Sequence, residues 1–140
     1  AYQTMLHEYG SMKEYIRRNA TTGIEAIEAL CRFFSQHGAD KIIPKNTTSA
    51  CKRICMFLRW MVRSGSPVDL GLWADIIDRR TLIMPLDTHV VQEAQRMNLL
   101  QSRTASMSTA RRLTDTMLKI FPDDPLKGDF ALFGLGVDNE

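Results

Sequence analysis

The chain has 140 residues, 44% hydrophobic and 24% charged, which suits one globular domain with a real core. Its apolar runs fall far short of the roughly 20 residues that span a bilayer, and its start carries no signal-peptide pattern. A net charge of +2 does not by itself mark a nucleic-acid binder. The odd set Cys31, Cys51 and Cys55 has no disulfide-framework spacing and points to a reducing cytoplasm.

In chain order, Met5, Tyr9, Met12 and Ile16 give one apolar stripe and predict a helix over 3–18. After a loop at 19–22, Thr22 and Glu25 have capping-box spacing. They open a second helix that buries Ile24, Ile27, Leu30, Cys31 and Phe34 and stops at His37-Gly38. A polar connector over 39–48, containing Pro44, leads to a third helix over about 48–63, capped by Thr48 or Ser49. Cys51, Ile54, Cys55, Leu58 and Met61 or Val62 form its apolar face. Ser64-Gly65-Ser66-Pro67 breaks the chain, and a short helix follows over 70–77 with Leu72, Trp73, Ile76 and Ile77 inward.

Asp87 then stands after Pro85 and before Val90, Val91, Ala94 and Met97, a strong N-cap position for a helix ending near Asn98. After a connector at 99–107, a sixth helix over about 108–120 buries Ala110, Leu113, Met117 and Ile120. Asp124-Pro125 signals a last helix from Leu126 to Phe133, ended by Gly134-Leu135-Gly136. No strand alternation appears; Ile42-Ile43 and Leu82-Ile83-Met84 are too short to build a sheet. The fold class is all-α, with seven or so short helices.

Charge is concentrated in one region. Residues 40–63 hold Lys41, Lys45, Lys52, Arg53, Arg59 and Arg63 against the single acid Asp40. Such a patch fits either an anion-binding surface or a solvated helix face. Lys52, Met56, Arg59 and Arg63 form one stripe on a largely apolar helix, so these cations must face a cleft, a carboxylate or a ligand. Asp87 reads as a plain cap or as a carboxylate held at a helix start and aimed into a cleft. Trp60 and Trp73 could stack on a base but are read as core. Cys51, Cys55 and His89 are too sparse a set for zinc, and His89 is read as packing beside Asp87.

Four blocks resemble an uncharacterised bacterial family: Cys51-Lys52-Arg53 with Met56 to Arg63, Val68 to Trp73, Pro85-Leu86-Asp87-Thr88-His89, and Asp129 to Gly136. That family looks like a distant branch of the helix-hairpin-helix DNA glycosylases. Endonuclease III-type members open a helix with a Val-Asp-Thr-His motif whose aspartate is the catalytic carboxylate. The resemblance implies that role for Asp87 in Leu86-Asp87-Thr88-His89-Val90. Lys52 stands in roughly the place of the lysine nucleophile of bifunctional members; read from the residues alone, a salt bridge or a phosphate contact is its alternative role. Lys45-Asn46-Thr47-Thr48-Ser49 replaces the glycine-rich hairpin, and the four-cysteine set of an iron–sulfur cluster is missing, so no cofactor is implied. Family members are nearly twice as long, and their N-terminal part helps to build the cleft. The chain, which begins at Ala1-Tyr2 without Met, is therefore expected to be a C-terminal fragment.

The resemblance implies double-stranded DNA as the partner, with Asp87 and Lys52 catalytic and Lys45, Arg53, Arg59 and Arg63 binding DNA; no metal and no membrane enter. Base excision from damaged DNA is one reading. A non-catalytic DNA-binding module and a protein-interaction domain of the same fold are the alternatives, favoured by the lost hairpin glycines. On the excision reading, Lys52, Arg59 and Asp87 are expected to line one cleft.

Overall fold

The computed structural model describes residues 2–38, 49–64, 69–101 and 105–128. Within them the protein is all-α: α1 Tyr2–Tyr9, α2 Met12–Asn19, α3 Gly23–Gln36, α4 Lys52–Val62, α5 Thr88–Arg96 and α6 Met107–Ile120, with a single 3-10 turn at Arg79–Thr81. No described helix is long and apolar enough to cross a membrane. The 39–48 connector, its Pro44, Lys45 and Thr48, and the block from Asp129 onward lie outside the described residues.

The stripe expected to make one helix over 3–18 makes two. Gly10 adopts a left-handed conformation (φ 83°), which ends α1. Ser11 then caps α2, its hydroxyl accepting from the Glu14 amide at 3.1 Å. Met5 and Ile16 are nonetheless both buried, so the stripe keeps its face across the break. α3 begins as expected, with both halves of the Thr22–Glu25 capping box formed. Tyr15 of α2 donates to the Ala29 carbonyl of α3 at 2.6 Å and packs on Phe33, joining the two helices.

The segment expected as a short helix over 70–77 is a run of turns. Gly71 is left-handed (φ 67°), and the Leu70 and Trp73 amides donate to the Trp60 and Met61 carbonyls at 2.6 and 2.7 Å. These bonds satisfy carbonyls that the last turn of α4 would leave open. Trp73 is buried with its ring edge-on to Phe57, whereas Leu72 and Trp60, both expected inside, are exposed. Ile120 of α6 is exposed as well, beyond the buried stripe Met107, Ala110, Leu113 and Met117. Gly23 abuts the 3-10 turn: its amide donates to Thr81 Oγ1 at 3.0 Å, and a Cβ there would stand 2.4 Å from the Thr81 carbonyl oxygen.

What carries the chain to Asp87 is not a helix. Leu82 to Leu86 is an extended, wholly buried run, with Met84 at 0% exposure. An extended buried segment outside a sheet leaves backbone polar groups that need partners. Thr114 of α6 supplies one: its hydroxyl accepts from the Met84 amide at 2.9 Å and donates to the Ala110 carbonyl at 2.7 Å. Thr114→Val keeps the shape and removes both bonds. We expect it to cost about 1–3 kcal/mol, the desolvation cost of an orphaned buried N–H, and Thr114→Ser to cost much less. The shift in urea midpoint checks both.

Candidate site at the starts of helices four and five

Lys52 and Asp87 sit at two helix starts brought together by the fold. Asp87 is the N-cap of α5, with extended backbone and Oδ1 accepting from the Val90 amide at 2.9 Å. Its other oxygen, Oδ2, accepts from Lys52 Nζ at 2.5 Å, across 35 positions of sequence. One carboxylate therefore caps the helix and holds the lysine at once. The two side chains keep 48% and 37% of their exposure, so the pair opens to solvent. Burial pushes the Asp87 carboxyl up. The Lys52 ammonium, the Val90 amide and the charges of Lys52 and His89 together outweigh that and hold it below the usual carboxylate range. At neutral pH Asp87 is an anion.

α4 starts at Lys52, not at about 48 as expected. Ser49, one of the two caps expected for it, instead forms an isolated antiparallel bridge with Ser106, the N-cap of α6. The N-cap is Cys51, left-handed at φ 50° and without a side-chain capping bond. For a residue with a Cβ that conformation costs roughly 1–2 kcal/mol, so long-range contacts hold it. The Ser49–Ser106 bridge is one of them, and it brings the start of α6 beside that of α4.

The remaining basic residues separate. Arg53 is exposed, beside a mainly apolar groove of about 210 Å³ lined by Met12, Leu30, Phe34, Ile54 and Phe57. Arg59 and Arg63 do not join Lys52 in a cleft and do not face solvent; they are 4% and 6% exposed. Arg63 grips Asp124 through Nε and one terminal nitrogen at 2.9–3.1 Å and Asp69 through the other at 3.0 Å. Arg59 Nε lies 3.7 Å from Asp69 Oδ1. Asp124, expected as a helix cap, commits its carboxylate to Arg63. Of the three outlets open to cations on an apolar helix, these two take buried carboxylates, and the expected basic surface shrinks accordingly.

Asp69 and Asp124 are the residues that sequence reasoning missed. The signal was present as a need: two arginines on a mostly apolar helix require two counter-charges. Which acids answer it depends on the fold. Among the described residues no group of three or more His, Cys, Asp and Glu is placed to hold a metal ion.

No curated protein and no solved structure matches the chain. Residues 1–138 match the family described as a protein of unknown function, DUF2400, and the chain belongs to that family.

Proposed function

We propose that Lys52 and Asp87 form the chemical centre of a DNA glycosylase-like site, acting on the N-glycosidic bond of a damaged base in double-stranded DNA. The observation that carries this reading is their contact at 2.5 Å from opposite ends of a 35-residue separation. An amine and a carboxylate at that distance, open to solvent, match the pair that the resemblance to endonuclease III-type enzymes requires. The base would leave the stack to be reached. Lys52 first gives a proton to Asp87 Oδ2; the freed amine then attacks the anomeric carbon, and the base leaves with the bonding electron pair and takes the proton back from Asp87. The carboxylate also faces the positive charge that grows on the sugar.

The test is a panel of duplexes, each with one damaged base, incubated with the purified protein and quenched with borohydride. Release of a base together with a reduced protein–DNA adduct at Lys52 supports the proposal. Binding that weakens with salt and releases no base supports a non-catalytic DNA module instead. A protein-interaction domain is the second reading, favoured by the exposed apolar side chains Trp60, Leu70 and Leu72 beside the end of α4. Neither release nor duplex binding would support that one.

A further inference from the structure

Of the cations expected to meet DNA, Arg59 and Arg63 are held by buried carboxylates. Two arginines outside the basic region at 40–63 offer themselves instead. Arg111 and Arg112 are consecutive on α6, and both are exposed. Every described arginine from Arg59 to Arg96 meets an acceptor of the chain itself. Arg59 and Arg63 meet the buried aspartates, Arg79 the Asp123 carbonyl, Arg80 Asp78, and Arg96 Glu93. Arg111 and Arg112 meet none among the described residues.

Both arginines line one open cavity of about 380 Å³, with Ile24 of α3, Met107, Ser108 and Asp115. Asp115 makes no ion pair with either of them among the described residues. Exposed Lys119, one turn beyond Asp115, continues the same helix face, which is therefore basic on balance. Two like charges on one cavity raise its potential for an anion, and the guanidinium fork matches the paired oxygens of a phosphate. The cavity also lies near the candidate centre. The Ser49–Ser106 bridge joins the approaches to α4 and α6. Lys52 is three residues beyond one partner and Arg111 five beyond the other. These short steps hold the Cα atoms of Lys52 and Arg111 within about 25 Å. That is less than the roughly 34 Å of one duplex turn, so a single bound duplex can reach both.

We infer that Arg111 and Arg112 grip the phosphate backbone of the duplex whose damaged base reaches Lys52 and Asp87. Duplex DNA as the partner rests on the proposed function; the grip of α6 adds where the strand is held. Contacts of this kind set the position of the duplex and carry no base preference, because phosphates are alike along it.

The test measures binding of the purified protein to a fluorescent duplex carrying one tetrahydrofuran abasic analogue, over a series of potassium chloride concentrations. Each phosphate contact contributes close to one unit to the slope of log affinity against log salt. Arg111→Ala with Arg112→Ala should flatten that slope by about 2 and weaken binding roughly 10²-fold at low salt. Arg111→Lys with Arg112→Lys keeps both charges and should retain the slope while binding less tightly. Arg18→Ala removes one charge from α2 and should leave the slope unchanged. All these side chains are exposed, so the urea midpoints should match wild type. If wild type binds and the alanine pair keeps its slope and affinity, the grip is overturned and the reading of Lys52 and Asp87 stands. An equal loss from Arg18→Ala overturns the grip as well, since any surface charge would then serve. Arginine-dependent binding without base release in the borohydride panel keeps the grip and overturns excision. No duplex binding by wild type overturns both.

Discussion

Asp124→Asn should destabilise the protein by about 3–5 kcal/mol, the usual cost of breaking a buried ion pair by removing one partner. Arg63, Asp69 and Asp124 are each under a tenth exposed, and Arg63 makes its bonds at 2.9–3.1 Å to both carboxylates. Among the described residues, Arg59 and Arg63 face the carboxylates of Asp69 and Asp124. The substitution removes the carboxylate charge that Arg63 Nε and one terminal nitrogen hold, while the amide still occupies the space. Against a typical domain stability of about 5–15 kcal/mol, that is a large fraction. The double variant Arg63→Met with Asp124→Leu removes one charge of each sign and leaves Arg59 beside Asp69. It should recover much of the loss, because well-packed apolar replacements of buried ion pairs are often close to neutral. Equilibrium urea unfolding of the three proteins decides this. Equal midpoints for wild type and Asp124→Asn would mean that the cluster contributes little.

The parts of the structure legible in the sequence were those written within a few residues. Thr22 with Glu25, and Asp87 ahead of Val90, are local caps whose side chains reach only three residues on, and both formed as the spacing dictates. Asn98, left-handed just past α5, closed that helix where its sequence signal stood. The break at Gly10-Ser11 was equally local. There a left-handed glycine and a serine cap competed with a continuous apolar stripe, and the stripe governed burial while the glycine governed the backbone.

The start of α4 was not legible. Its left-handed Cys51 lies two residues from Ser49, whose bridge partner Ser106 comes from the far start of α6. The roles of Arg59 and Arg63 were hidden for the same reason. Period and charge showed that they needed partners, but Asp124 lies 61 positions from Arg63. Trp60 shows the limit of composition: aromatic size argues for burial, yet the turns after α4 claim its carbonyl and leave its ring outside.

The juxtaposition of Lys52 and Asp87 belongs to that second class, since nothing local brings residues 35 apart to 2.5 Å. Whether the pair performs chemistry is tested most directly by Asp87→Asn. Asparagine is as good an N-cap as aspartate, so its side-chain oxygen can still accept from the Val90 amide and α5 should stay in place. What disappears is the anion: no group remains to take a proton from Lys52 or to face positive charge on the sugar. Removing one stabilising group of this kind typically slows an enzyme by roughly 10²–10³-fold. The decisive measurement is the single-turnover rate of base release from a damaged duplex, for wild type against Asp87→Asn, with duplex affinity measured in parallel. The pair as a catalytic centre requires a fall of about that size with affinity changed little. Equal rates in the two proteins would contradict it.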